Sequence, residues 1–263
     1  MGVPVLLESG QGIARLRLNR PEASNALNRE LLRALVDAVG ALAQDSSVRA
    51  VVLSGEGRNF CAGGDVKEFA AQGASLPEHL RELTRLLGLA AQGLVELPAP
   101  VIALVHGAAT GGGGLGLVCA ADIVLAGPDA RFMLGATRVG MAPDAGLSVT
   151  LTRLVGLRQA LRLALLNPML DAAEALEIGL VSEVVADHLA LERRGMDLAR
   201  ELAAGAPRAQ AQTKRLLWQG IASSLPDCLP DEAATVSELS GTADSREGLA
   251  AVIERRPPRF TGS

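Results

Sequence analysis

Three short apolar segments alternate with helical patterns in the first half of the chain. RAVVLS at 49–54, VIALV at 101–105 and IVLA at 123–126 have the length and the unbroken hydrophobicity of buried strands. A helical pattern lies in each interval between them, and right-handed crossovers through helices are the ordinary connection between parallel strands. This order predicts an α/β fold with right-handed crossovers.

The flanking segments complete this outline. A hairpin is predicted in residues 3–18, and apolar residues recur at helical spacing from 28 to 43. After Pro143 the chain becomes almost wholly helical, and its last helices have wide apolar faces. We therefore expect a core domain at 1–186 and an appended helical region at 187–263. Further helices are predicted at 77–96, 147–155, 157–166, 171–178, 187–204, 208–222 and 228–240, and a strand at 181–185.

Composition argues against several classes of function. A formal net charge of −4 gives no broad basic field, so nucleic-acid binding is not expected. The three cysteines have no zinc-site spacing and fit a reducing compartment better than a disulfide framework. The first residues lack the pattern of a signal peptide, and the most apolar stretch, 115–126, is interrupted by Asp122. We expect a cytoplasmic protein without a metal site or a membrane partner.

Two loops of small residues each join a predicted strand to a predicted helix. The first loop, 59–65, reads NFCAGGD, and the second loop, 106–117, reads HGAATGGGGLGL. Small residues let the backbone approach a ligand closely, and the N–H groups at a helix N-terminus have no partner within the helix. Two such loops can each direct one N–H donor to a single oxygen, which is the geometry of an oxyanion hole. The hypothesis is a backbone oxyanion hole around Gly64 and Gly113.

Two other interpretations of these loops stay open. Either loop alone can be a simple tight turn between a strand and a helix. The second loop also matches the dinucleotide-binding pattern G-x-G-x-x-G at Gly111, Gly113 and Gly116, with Asp129 as the candidate ribose ligand. That pattern ordinarily follows the first strand of its unit, whereas here it begins more than 100 residues into the chain. Because it also leaves the first loop unexplained, dinucleotide binding ranks second.

Six segments stand out in order along the chain: NRPEASNAL at 19–27, FCAGGD at 60–65, GGGLGL at 112–117, LVG at 154–156, EALEIGLV at 174–181 and ERR at 254–256. Together they resemble the segments of the crotonase (enoyl-CoA hydratase/isomerase) superfamily over nearly the whole chain. The resemblance implies a spiral of ββα turns with a C-terminal helical trimerisation region, assembled as a homotrimer or a dimer of trimers. It also implies an acyl-CoA substrate, with coenzyme A as part of the substrate and no separate cofactor.

The resemblance also assigns residues to the site. The thioester oxygen would be held by the N–H of Gly64 and the N–H of Gly113. The chain has one glycine more than the usual family spacing between His106 and Asp122, so counting from His106 would make Gly112 the second donor. The family's coenzyme A contacts correspond to Ala23, Ala62, Asp65 and Gly112, together with Arg256 and Phe260, which another subunit would contribute.

Side chains around the oxyanion hole decide the reaction. The family's hydratases use two glutamates, and the matching positions here are Gly116 and Ala136, neither of which can carry a proton. The chain therefore looks closer to the single-aspartate isomerases. Asp144 matches the aspartate of the phenylacetate-pathway ring isomerases and of the dienoyl-CoA isomerases. A single carboxylate is sufficient for a 1,3-proton shift, so we predict a Δ3–Δ2 enoyl-CoA or ring acyl-CoA isomerase.

Alternatives to this prediction remain. Asp144 can instead cap the helix that begins near Leu147, or it can be a nucleophile as in 4-chlorobenzoyl-CoA dehalogenase. The protein can also be a hydratase by family name that lacks both glutamates, or a CoA-binding protein without activity. Among the other polar residues, we expect His79 and Arg138 to face solvent, and His106 to be a core histidine with its hydrogen bonds satisfied.

Overall fold

The computed structural model of the protein describes residues 2–263. Strands and helices alternate up to residue 133, and helices dominate thereafter. The strands are β1 (Val5–Gly10), β2 (Ile13–Leu18), β3 (Ala50–Gly55), β4 (Val101–Val105), β5 (Ala108–Thr110), β6 (Ile123–Ala126), β7 (Arg131–Met133), β8 (Leu170–Asp171) and β9 (Glu183–Val184). The helices are α1 (Arg29–Gln44), α2 (Val66–Ala71), α3 (Leu76–Glu96), α4 (Gly111–Cys119), α5 (Leu147–Val155), α6 (Leu157–Leu166), α7 (Ala172–Glu177), α8 (His188–Ala204), α9 (Pro207–Gly220), α10 (Leu225–Ser240) and α11 (Ala243–Glu254).

The large sheet contains six strands in the order β1-β2-β3-β4-β6-β9. Its strands pair in parallel, except for the antiparallel hairpin of β1 and β2. Across the described residues the strands therefore follow one another in chain order. A dinucleotide-binding fold instead reverses its strand order at a switch point, where the nucleotide binds. The topology of this sheet rules out the dinucleotide interpretation of the second loop.

A smaller sheet, in the order β5-β7-β8, runs beside the large one. An isolated parallel bridge joins Cys61 to Ala109 and extends this small sheet towards the first loop. Each turn of the chain thus places one strand in the large sheet, then a short strand or bridge in the small sheet, then a helix. This arrangement confirms the predicted spiral of ββα turns, and it brings the first and second loops onto neighbouring turns.

Apolar side chains cover both faces of the large sheet. On one face, α1 and α3 pack over the main core, which includes Leu16, Leu53 and Val105. On the other face, α8 packs over a smaller core through Leu191 and Ala199. The helix α8 begins just after the predicted boundary at 186, although it covers the sheet directly. The division into two domains stays a prediction.

Most predicted elements lie within two or three residues of those in the structure. The hairpin turn consists of two residues, Gln11 and Gly12, both of which have positive φ. The strands β5, β7 and β8 were not predicted, since strands of two or three residues carry no periodic pattern. The helix α11 was not predicted either, and its apolar Val252 and Ile253 are exposed. None of the helices within residues 2–263 has an apolar run long enough to cross a membrane.

Candidate active site

Backbone hydrogen bonds hold the two loops side by side. The Cys61 N–H donates to the Ala108 carbonyl at 2.9 Å, and the Thr110 N–H donates to the Cys61 carbonyl at 2.9 Å. On the other side of the first loop, the Leu27 N–H donates to the Gly63 carbonyl at 2.7 Å. Residues 61–64 therefore lie as an extended segment between Leu27 and β5. The ends of both loops face the same space.

Gly63 is required for this close approach. Its φ is +89°, and an ideal Cβ there would lie 2.6 Å from the Thr110 carbonyl oxygen and 2.9 Å from Gly111 Cα. Both neighbours are backbone atoms, which cannot rotate away as a side chain can. A side chain at position 63 would therefore separate the two loops.

Free N–H groups are found where the loops meet. None of the hydrogen bonds formed among residues 2–263 uses the Gly64 N–H. The helix α4 begins at Gly111, so the N–H groups of Gly112 and Gly113 lie in its first turn and have no partner within the helix. The helix dipole adds to their attraction for a developing negative charge. The geometry fits a two-loop oxyanion hole.

A cavity of about 590 Å³ opens at this junction, within the range of small-molecule sites. Gly64, Gly112 and Gly113 contribute backbone to its wall. Apart from Arg138, the large side chains around it are apolar, and Asp144 is the one carboxylate that lines it within the described residues. The apolar lining consists mainly of Leu27, Leu32, Val66, Phe69, Leu76, Leu80, Leu83, Leu87, Met133, Val139 and Met141.

The Asp144 carboxylate lies directly against the second loop. A methyl group at Gly112 would overlap with Asp144 Oδ1, and one at Gly116 would overlap with the Cβ of Ala145. Ala145 is buried and has a φ of +52°, a left-handed conformation that a non-glycine residue adopts at some cost. Two glycines one helical turn apart thus form the surface on which Asp144 and Ala145 rest.

The surroundings of Asp144 favour its protonated form. Burial raises the pKa of the carboxyl above its ordinary value of 3.8, and a hydrogen bond from its own backbone N–H offsets only part of that shift. The helix α5 is capped at Gly146 without any side-chain hydrogen bond. The alternative that Asp144 serves as a helix cap is therefore wrong.

The structure shows where the two glutamate positions of the hydratases fall. Leu115 points into the main core and is 1% exposed, whereas Gly116 faces Ala145. Gly112 and Gly116 thus form the side of α4 that faces the Asp144 segment, and Gly116 is the position that matches the first glutamate. Ala136 lines the cavity at the start of a 3-10 helix, Ala136–Val139. Neither position supplies a carboxylate.

Asn167 holds the turn that carries Ala136, and sequence analysis missed it. Its Oδ1 accepts from the Gly135 N–H at 2.6 Å, and its Nδ2 donates to Thr137 Oγ1 at 2.6 Å. Its carbonyl accepts from the Arg138 guanidinium at 3.0 Å. The side chain is 3% exposed, and the backbone has a φ of +48° at the end of α6. An asparagine just after a helix is a common cap, so sequence alone offered no sign of this contact.

The predicted coenzyme A residues fall into two groups. Ala62 and Gly112 line the cavity. Ala23 ends a 3-10 helix, Pro21–Ala23, and does not line it. Asp65 accepts from the Glu68 N–H as the cap of α2 and pairs with Arg20 at 2.8 Å.

Arg256 and Phe260 lie outside the cavity of their own chain. Arg256 pairs with Glu247 and Glu254, both at 2.6 Å, and the Phe260 ring packs near Gly248. Both residues follow α11, at the C-terminal end of the chain. Their contribution to the site of another subunit stays a prediction.

The expectation that His79 faces solvent is wrong. The residue is 7% exposed, and its Nε2 lies 3.1 Å from Glu68 Oε1. Its ring also meets the Phe69 ring edge-on, with centroids 6.2 Å apart. The short helix α2 folds over the start of α3 and covers His79, which a helical pattern alone could not indicate. Phe69 in turn lies over Gly64, so His79 supports one wall of the cavity.

The expectations for the other two polar residues are partly met. His106 Nε2 lies 3.0 Å from the Gly57 carbonyl oxygen, so a hydrogen bond satisfies it, but the residue is only half-buried and is not a core histidine. Arg138 is exposed, although it also contributes to the rim of the cavity.

Comparison with known proteins gives a consistent result over the whole chain. The family model described as Enoyl-CoA hydratase/isomerase matches residues 8–263. A Rhodobacter capsulatus protein named "Probable enoyl-CoA hydratase" is 40% identical over 97% of this chain and 96% of its own. The 1,2-epoxyphenylacetyl-CoA isomerase of Escherichia coli is 33% identical over 98% of both chains. The crystal structure of an enoyl-CoA hydratase from Bacillus anthracis superimposes with a TM-score of 0.93 at 31% identity, covering 99% of this chain and 100% of the other.

Proposed function

The chain belongs to the enoyl-CoA hydratase/isomerase family, and we propose that it acts as an isomerase that converts 3-enoyl-CoA to 2-enoyl-CoA through Asp144. The main support for this proposal is the position of the Asp144 side chain. It is the one carboxylate lining the cavity in the described part of the chain, and it lies against Gly112 at the oxyanion hole. The relatives include proteins named hydratases and proteins named isomerases, so the choice between the two reactions rests on side chains.

The proposed reaction is a proton shift by one base. The Asp144 carboxylate removes a proton from C2 of the 3-enoyl thioester, and the electron pair moves into the carbonyl to give a dienolate. The N–H groups of Gly64 and Gly113 stabilise the negative charge on the thioester oxygen. Protonated Asp144 then returns the proton to C4, which moves the double bond to C2–C3 and regenerates the carboxylate. A carboxyl with a raised pKa suits both halves of this cycle.

Hydration needs more groups than this cavity offers. A hydratase must position and activate a water molecule and also protonate the α-carbon, for which the family's hydratases use two glutamates. Gly116 and Ala136 occupy those positions here, and Asp144 alone would have to perform both tasks. The absence of a second carboxylate among the described lining residues supports isomerisation over hydration.

The test is Asp144→Asn assayed with a 3-enoyl-CoA substrate, by the ultraviolet absorbance of the conjugated product. We expect kcat/KM to fall by about 10²–10⁴-fold, the usual contribution of a general base. Binding of saturated acyl-CoA should be retained, because the amide is nearly the same size as the carboxylate. The matched control is Asp37→Asn on the exposed side of α1, which should leave activity unchanged. Full activity in Asp144→Asn would refute the proposal.

We propose in addition a homotrimer or a dimer of trimers, located in the cytoplasm. Large apolar side chains stand exposed along one side of α6, at Leu157, Leu161 and Leu165. Such a stripe is typical of a surface that another copy covers. Light scattering coupled to size exclusion would measure the number of subunits, and a monomer would contradict the proposed assembly.

A further inference from the structure

Few polar side chains line the cavity, and three of the four already donate hydrogen bonds to backbone carbonyls. Thr84 Oγ1 donates to the Leu80 carbonyl at 2.8 Å, and Thr110 Oγ1 donates to the Ala62 carbonyl at 3.2 Å. Arg138 is exposed and donates to the Asn167 carbonyl at 3.0 Å. Asp144 is the remaining polar side chain of the wall. Away from the reacting carbons, the cavity therefore presents mostly apolar groups.

A ladder of leucines forms the long side of this cavity. Leu76, Leu80, Leu83 and Leu87 recur along one face of α3 and all line the cavity. From Leu76 to Leu87 the helix advances by eleven steps of 1.5 Å, which is about 16.5 Å. An extended chain of single bonds advances about 1.2 Å per bond, judged from extended polypeptide. A chain lying along the ladder therefore has room for about a dozen carbons.

From these two observations we infer that the site takes an unsubstituted aliphatic acyl chain, in preference to a carboxylated one. The inference rests on the proposed function for the placement of the thioester at Gly64 and Gly113. A hydroxyl or an amide on the chain would lose its water without gaining a partner from the leucine ladder. A second carboxylate would in addition share a low-dielectric cavity with Asp144, where like charges repel.

Arg138 is cationic, and a cation beside the acyl chain would favour a carboxylated chain over an aliphatic one. It lines the rim, and a guanidinium binds carboxylates well. However, it is solvent-exposed and already donates to the Asn167 carbonyl, so a carboxylate there would compete with water and exchange one hydrogen bond for another. A carboxylated chain would therefore gain little from Arg138 and would still leave the ladder uncovered.

Titration calorimetry with saturated acyl-CoAs tests the inference directly. The series is butanoyl-, hexanoyl-, octanoyl-, decanoyl- and dodecanoyl-CoA, with adipoyl-CoA matched to hexanoyl-CoA. We expect binding to tighten about fourfold per methylene through the series to dodecanoyl-CoA, which corresponds to about 0.8 kcal/mol for each buried methylene. Adipoyl-CoA should bind at least about tenfold more weakly than hexanoyl-CoA.

A variant with a smaller cavity tests whether the leucine ladder is the cause of the preference for aliphatic chains. In Leu80→Trp the larger side chain should fill part of the cavity and weaken decanoyl-CoA binding about tenfold or more, while butanoyl-CoA binding stays unchanged. The matched control is Leu89→Trp on the exposed side of the same helix, which should not change the series. If Leu80→Trp does not fold, the affinities of the wild-type protein for the acyl-CoA series are sufficient to test the inference.

The two proposals fail in different ways. Saturated acyl-CoAs cannot isomerise, so their affinities report on the acyl site alone. A flat series beyond butanoyl-CoA, or adipoyl-CoA binding as tightly as hexanoyl-CoA, would overturn the inference even in an active isomerase. A rising series in a protein that converts no 3-enoyl-CoA would leave the inference standing and overturn the proposed function.

Discussion

The first loop and the second loop both lead from the small sheet into a helix, yet their glycines make room for different neighbours. In the first loop, Gly63 lies against the backbone of the second loop, and Gly64 lies under the Phe69 ring. In the second loop, Gly112 lies against the Asp144 carboxylate and Gly116 against Ala145. The first loop thus shapes the cavity, whereas the second also lies against Asp144, the base of the proposed reaction.

This difference predicts how the loops respond to substitution. A side chain added at Gly64 meets the Phe69 ring, which can move. Replacing Phe69 with a smaller residue should therefore restore the activity that the first substitution lowers. A side chain added at Gly112 or Gly116 meets the segment that holds the base, so catalysis should suffer more than binding.

The largest effect is expected from rebuilding both hydratase glutamates, in the double variant Gly116→Glu and Ala136→Glu. A side chain at position 116 meets the Cβ of Ala145 and displaces the adjacent Asp144. We expect isomerase activity to fall about 10³-fold with no gain of hydratase activity, because a misplaced base loses most of its contribution. The measurement is kcat/KM with 3-enoyl-CoA and with 2-enoyl-CoA.

Ala145→Gly in the same background is the matched control. It removes the methyl group that position 116 meets, and glycine adopts the φ of +52° without cost. Part of the isomerase activity should return. A double variant that hydrates 2-enoyl-CoA while it keeps full isomerase activity would show that the Asp144 segment does not depend on Gly116.

The next largest loss of activity is expected in Gly112→Ala. Its added methyl group would occupy the space of Asp144 Oδ1. We expect kcat to fall about 10²-fold while the affinity for acyl-CoA changes little, because a shift of the base by about 1 Å suffices for such a loss. Single-turnover kinetics and calorimetry separate the two quantities.

The control for Gly112→Ala is Gly40→Ala, on the exposed side of α1 with no atom within 4 Å of the added methyl group. It should leave activity unchanged and raise the free energy of unfolding by about 0.5–1 kcal/mol. Equal losses of activity in both variants would point to a general effect of alanine rather than to contact with Asp144.

A smaller effect is expected in the first loop from Gly64→Ala. Its methyl group would lie 2.5 Å from Phe69 Cζ, at the far end of a movable ring. We expect kcat/KM to fall about tenfold and to recover in the double variant with Phe69→Leu, in which the ring is absent. Phe69→Leu alone serves as the reference. No recovery in the double variant would mean that the backbone at position 64, and not the ring, sets the effect.

The smallest effect is on stability. Burial raises the pKa of Asp144 in the folded protein, so the folded state binds this proton more tightly than the unfolded chain does. The stability of the wild type therefore falls as pH rises from 3.8 through the raised pKa. Asp144→Asn should unfold at higher denaturant than the wild type at neutral pH, with the difference vanishing below pH 3.8. A difference independent of pH would contradict a buried carboxylate.

Much of the fold was predictable because its elements are marked locally. The buried strands β3, β4 and β6 are continuous apolar runs, and Asn28 caps α1 through the Leu31 N–H as its position suggests. The strands β5, β7 and β8 were not predictable, since their pairing partners lie tens of residues away. His79 was misjudged for the same reason, because α2 covers it in three dimensions.

Short-range patterns in the sequence were enough for the α/β class, the two glycine loops and the family, whereas the role of Asp144 stays a prediction. These features depend on residues within a few positions of one another, where propensity and spacing act directly. Contacts between distant segments decided the rest, namely Gly112 against Asp144, Gly63 against Thr110, and Asn167 beneath the turn of Ala136. Such contacts come from the stacking of successive turns of the spiral, which brings together side chains that no local pattern relates.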